Sequence, residues 1–275
     1  MSLVGQVARI LFLAAVICGT TRADAHPSGP SQAIESHGDE PAAEQAAPKI
    51  KLEDRATQPR VGLLNPSLVA RGQGGLTLFS EPFAAQAMAT LPSEVSEVSV
   101  KWVELQSRIL AEGRILAACR SGDSPCPAAA RRFLSIVELG RLRQGRTRLG
   151  EINRAVNLSI KPASDWNQYG VDDYWSAPLA TLRIGAGDCE DYAILKYVAL
   201  RESGVVLDDL RLVIVRDIKQ RTTHAVVAAH QDDMWLILDN RTLVMVNAEE
   251  ARHYYPLFVL DHRGVRTFAT AIVRR

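Results

Sequence analysis

Beyond an N-terminal apolar run from Ile10 to Cys18, no stretch of this chain approaches the roughly 20 apolar residues a membrane helix needs. No stable membrane insertion is therefore expected. An excess of one charge is also missing: 32 basic residues stand against 31 acidic, a net charge of +1, so no global field points to nucleic acid or to a membrane surface. Cysteine is scarce, with four in 275 residues, and no Cys/His spacing suggests zinc. Aromatic residues are lacking from His26 to about Arg71, where Ala, Pro, Glu, Gln and Ser dominate, a composition that cannot bury a core.

What is present at the N-terminus is an export signal. Arg9 precedes the short apolar run, and Ala23-Asp24-Ala25 has the form of a signal-peptidase site, so residues 1–25 read as a signal peptide and the mature chain as starting at His26. Cys18 does not suit lipidation, because the bulky Ile17 directly precedes it. A flexible leader over 26–71 is expected, then an N-terminal helical lobe over 72–160 and a catalytic lobe over 161–275.

The most informative stretch is Gly185-Ala186-Gly187-Asp188-Cys189-Glu190-Asp191-Tyr192. It sets a lone cysteine between a glycine turn and the helix-forming run Ala193 to Leu200, with Gly204 as a stop. Cys189 falls in the first helical turn, where unpaired N–H groups and the helix dipole favour a thiolate. The two glycines would let a substrate backbone approach, and the Cys189 N–H can face a developing oxyanion.

Thr222 to Ala229 and Met234 to Asp239 read as antiparallel strands. A two-residue turn at Gln231-Asp232 sets His224 opposite Asp239, close enough for the carboxylate to orient the imidazole. Cys189 then reads as nucleophile, His224 as general base and acid, and Asp239 as the group that fixes the imidazole tautomer. Each residue taken alone also has a bland reading. Cys189 suits a small core position, His224 a structural strand position and Asp239 the start of a turn; their joint arrangement favours catalysis.

Helical periodicity runs from Ser99 to Cys119 and again from Ala128 to Asn157. The second helix carries Arg131, Arg132, Arg141, Arg143, Arg146 and Arg148, interleaved with leucines as on a solvated face rather than a nucleic-acid patch. Cys119 and Cys126 flank a Gly/Pro turn and are either bridged, stapling a helical hairpin, or two buried thiols. Trp166, Tyr174 and Trp175 suit core packing, or alternatively the wall of a cleft. Strands are expected near Leu210 to Arg216, Leu243 to Asn247, Leu257 to Asp261 and Val265 to Ala269, in addition to the hairpin.

The runs Asp172-Asp173-Tyr174-Trp175-Ser176-Ala177-Pro178, Gly187 to Tyr192, His224-Ala225-Val226 and Leu238-Asp239-Asn240 resemble the bacterial transglutaminase-like cysteine proteases, whose best-known members are the LapG-type periplasmic proteases. The resemblance covers roughly Trp102 to Asn247. It implies an α+β, papain-like or transglutaminase-like fold, with an N-terminal helical lobe and a nucleophile helix packed on an antiparallel sheet. It further implies a triad of Cys189, His224 and Asp239, a calcium site at Asp188 and Glu190, and a periplasmic location. Such proteases cut large surface adhesins to control biofilm attachment and are restrained by an inner-membrane receptor for a cyclic dinucleotide.

Calcium also has a physical argument. Asp188, Glu190 and Asp191 crowd the thiolate with like charge, which a bound cation would relieve. Alternatively, Asp188 caps the helix and the two acids complement its dipole. The triad serves a periplasmic calcium-dependent endopeptidase and a transglutaminase-type acyl transferase equally. A non-catalytic calcium- or receptor-binding module on the same fold is a third reading, disfavoured by the intact triad.

Overall fold

The structure is a computed structural model that describes residues 62–64, 81–83, 90 and 92–268, all within one compact unit. The expected signal peptide, Cys18 and all of the expected leader except 62–64 lie outside the described residues, as does Ala269 at the end of the last expected strand.

Chain order runs from a short strand β1 (Gly62–Leu64) to helices α1 (Pro92–Ser121), α2 (Ala128–Arg141) and α3 (Gly145–Ser159). Strand β2 (Lys161–Pro162), α4 (Asp165–Tyr169), α5 (Pro178–Ile184) and β3 (Ala186–Gly187) lead to α6 (Cys189–Glu202). Strands β4 (Leu210–Asp217), β5 (Thr222–Gln231), β6 (Met234–Leu238), β7 (Val246–Asn247), β8 (Tyr254–Asp261) and β9 (Gly264–Phe268) follow. They form one sheet in the order β1-β9-β8-β4-β5-β6-β7, antiparallel except where β1 joins β9. This is the α+β, transglutaminase-like arrangement that the sequence implies, with helices on an antiparallel sheet. Among the described residues no helix is long and apolar enough to cross a membrane.

Alternation along the strands divides the core. Leu212, Ile214, Ala225, Val227, Leu236 and Leu238 face the helices, while Val213, Val215, Val226, Ala228, Trp235 and Ile237 form a second cluster on the other side. Phe83 reaches into that second cluster and meets Tyr254 edge-on at 6.3 Å. A helix with one apolar stripe would leave its other face in water. Instead every residue of α6 from Cys189 to Leu200 is buried, because α2, α3 and α5 close over the side the sheet leaves open. Each large aliphatic side chain sealed in this way contributes ~1.5–3 kcal/mol.

The single helix expected over Ala128–Asn157 is two. α2 ends at Arg141 with Leu142 as its cap, and Gly145, at φ +52°, takes a conformation no continuous helix allows, so α3 folds back on α2. The arginines on this hairpin are not simply solvated. Arg132 donates to the Leu182 and Ser159 carbonyls and Arg141 to the Glu202 carbonyl, placing cations at the C-terminal ends of α5, α3 and α6. Cys119 and Cys126 are bridged, fastening α1 to the start of α2. Glu112 of α1 accepts from the Leu179 and Ala180 amides, satisfying the start of α5. Of the three aromatics considered for the core, only Trp175 is buried; Trp166 and Tyr174 are exposed.

Candidate active site

Cys189 is the first residue of α6 and 1% exposed, with Asp188 in the cap position. The Asp188 side chain makes no capping bond, so the carboxylate is directed elsewhere. The Cys189 thiol donates to Glu190 Oε2 at 2.9 Å. Cys189 and Ala225, the residue after His224, belong to the same buried cluster.

The hairpin register differs from the expected one by a single turn residue. Gln231 pairs with Met234 and Val227 with Leu238, so Asp232 and Asp233, both at positive φ, make the turn. Continuing that register sets Val226 opposite Asp239, and His224 becomes its diagonal neighbour. Moving the turn by one residue shifts every partner by two, which keeps each side chain on its face. His224 Nε2 and Asp239 Oδ1 accordingly still meet at 2.9 Å, with His224 fully buried.

Sequence reasoning missed the groups that complete the carboxylate's surroundings. The Tyr254 hydroxyl donates to Asp239 Oδ2 at 2.5 Å and the Arg241 amide to Oδ1 at 3.0 Å. Burial pushes the Asp239 carboxyl up, but the hydrogen bond and charge of His224, with Tyr254 and the Arg241 amide, outweigh it and hold the group well below the usual carboxylate range. Lys196 of α6 lies buried within the field of Asp239, and burial lowers its ammonium to about 7.

The acids flanking Cys189 part company. One carboxylate oxygen from each of Asp165, Asp188 and Asp191 lies within 4.8 Å of the others, whereas Glu190 is turned to the thiol. Asp165 was invisible as a partner in sequence. It arrives because β2 runs parallel to β3, with the Lys161 amide bonded to the Gly185 carbonyl and the Ala163 amide to that of Gly187. Asp191 Oδ1 accepts from the Ser176 amide and Asp165 Oδ2 from the Tyr174 amide, while their second oxygens are buried with no hydrogen-bond partner. Burial raises Asp191 to about 7, with the like charge of Asp165 adding to it, and burial also raises Asp165, there with the like charge of Asp173. A group of three neighbouring carboxylates in which Asp165 and Asp191 each keep a buried oxygen without a hydrogen-bond partner is the donor set of a hard divalent cation, so the residues fit calcium.

The expected role of Gly187 in admitting substrate has a nearer explanation. A Cβ there would lie 2.6 Å from Asp191 Cβ, so glycine is needed to let Asp191 fold back over the chain.

A sequence model of the bacterial transglutaminase-like cysteine proteinases matches residues 116–258, more than half of the chain and spanning Cys189, His224 and Asp239. The chain belongs to that family. This transglutaminase-like cysteine protease is similar to the solved structure of Legionella pneumophila LapG, at 23% identity over 56% of this chain and 86% of that one, TM-score 0.47. The calcium-bound form of LapG matches at 22% identity over 57% and 92% of the two chains, TM-score 0.48. A structure described as a putative cysteine protease from Cytophaga hutchinsonii matches at 15% identity over 60% of this chain and 50% of that one, TM-score 0.28. No curated protein matches the protease.

Proposed function

We propose that the protein is a periplasmic, calcium-dependent cysteine endopeptidase working through Cys189, His224 and Asp239. The observation that carries the triad is the His224 Nε2 to Asp239 Oδ1 bond of 2.9 Å, with Cys189 at the first position of a buried helix whose core cluster includes Ala225, the neighbour of His224. With Nε2 donating to an ionised Asp239, Nδ1 is the ring nitrogen that handles the thiol proton. The Cys189 thiolate attacks the scissile carbonyl, forming a C–S bond, while the helix-start amides face the oxyanion. His224 passes the proton to the leaving amine as the C–N bond breaks. It then takes a proton from water, whose oxygen displaces the thiolate and releases the acid.

Asp165, Asp188 and Asp191 would hold the calcium, which supplies positive charge among the crowded acids. Those residues tie the start of α6 to α4, so their occupancy bears on how firmly Cys189 is placed.

The substrate reading is a large exported surface adhesin, cut to release it from the cell and so to control biofilm attachment, with an inner-membrane cyclic-dinucleotide receptor restraining the protease. It rests on the family and on the export signal at the N-terminus. The test is to incubate the purified mature protein with surface proteins of the source cells, with calcium or chelator. One large protein shortened only with calcium is the expected result, and its persistence intact under both conditions would refute the reading.

A further inference from the structure

Tyr254 sits on β8, two strands from the His224 strand, and is 4% exposed. Its ring is held on three sides: Phe83 lies edge-on at 6.3 Å, His253 at 4.2 Å and the His224 imidazole at 5.8 Å. A ring packed in this way has little freedom, so its hydroxyl is fixed in space. That hydroxyl lies 2.5 Å from Asp239 Oδ2. The other oxygen, Oδ1, takes His224 Nε2 and the Arg241 amide. The division matters because Asp239 follows the last residue of β6: Asn157 Nδ2 holds its carbonyl at 2.9 Å, but the direction of its carboxylate is set only by the groups that bond the carboxylate itself. A terminal carboxylate torsion is broad and nearly two-fold, and without a donor on Oδ2 the group can turn away from the imidazole.

We infer that Tyr254 is a positioning residue: by bonding Oδ2 it sets the direction in which Asp239 presents Oδ1 to His224. The inference rests on the triad reading above. In this role Tyr254 acts on the reaction only through Asp239. A hydrogen bond to a charged group is worth roughly 1.5–3 kcal/mol, which converts to about a 10- to 100-fold loss of rate when it is removed.

The test compares Tyr254→Phe, Asp239→Asn and the double variant, using hydrolysis of p-nitrophenyl acetate with Cys189→Ala as the blank. Alongside it, proton NMR follows the low-field resonance of the His224–Asp239 hydrogen bond. Tyr254→Phe keeps the ring and its packing. It should lower kcat about 10- to 100-fold with KM little changed, and should broaden or shift the low-field proton. In the Asp239→Asn background it should cause no further loss, because the group it acts through is already altered. Phe83→Leu, which loosens the ring but keeps the hydroxyl, serves as the packing control and should leave the resonance in place. An unchanged low-field proton in Tyr254→Phe would overturn the inference, as would losses that multiply in the double variant or an equal shift in Phe83→Leu. If Asp239→Asn itself left hydrolysis intact, the triad reading would fall, while the resonance in Tyr254→Phe would still decide whether the phenol orients the carboxylate.

Discussion

Gly187 and Asp191 occupy the same space: a methyl group on residue 187 would come within 2.6 Å of Asp191 Cβ and 2.7 Å of one of its carboxylate oxygens. The contact lies between the strand that enters the nucleophile helix and the first turn of that helix. Gly187→Ala should therefore displace Asp191 from the Ser176 amide it accepts. A destabilisation of about 1–3 kcal/mol is expected, with a fall in turnover larger than the change in melting temperature implies. Thermal unfolding and activity measured on the same preparation check this.

Calcium binding should depend on Asp165 even though it lies far from Cys189 in sequence. Asp165→Asn removes charge from the group formed with Asp188 and Asp191, and should weaken calcium binding by about 10-fold or more in a calorimetric titration. Glu190→Gln, at a residue turned toward the thiol, should weaken it less. Magnesium should substitute poorly, since it demands stricter octahedral geometry and dehydrates reluctantly.

Lys196 gives a dependence of stability on pH. Burial lowers its folded value to about 7 from 10.5, so between those values the unfolded chain binds the extra proton and the native protein does not. Stability should rise with pH across that window, by at most about 1.4 kcal/mol per pH unit from this group. Lys196→Met should flatten the rise and be more stable than the native protein below about pH 7. Denaturant unfolding across the window tests both statements.

Asp239 acts in the opposite pH range. Its folded value is held below the usual 3.8, so its contribution is present above 3.8 and is lost as pH falls toward the folded value. Asp239→Asn should lack that acid-side loss. It should also lower the rate by on the order of 10⁴-fold, because an amide can hold the wrong imidazole tautomer.

Much of the site was legible because its signals are local. The glycine turn, helix formers and Gly204 place Cys189 at the start of α6, and strand alternation puts His224 and Asp239 on one face whichever adjacent turn is used. What was not legible depends on contacts between distant segments. Asp165 joins Asp188 and Asp191 through the β2–β3 pairing, and Tyr254 reaches Asp239 across strands that are neighbours only in the folded sheet. The break between α2 and α3 was missed because the arginine and leucine pattern continues through it, while the positive φ of Gly145 leaves no periodic trace. Gly62–Leu64, within the expected leader, adds β1 to the sheet edge by backbone pairing with β9, a ladder that composition does not encode.

The central claim, that Cys189 performs proteolysis, is tested most directly by N-terminal labelling and mass spectrometry of exported surface proteins treated with calcium and either the native protease or Cys189→Ala. New N-termini should appear, at one or a few sites, only with the native protein. The same termini with Cys189→Ala, or none with the native protease, would contradict the account.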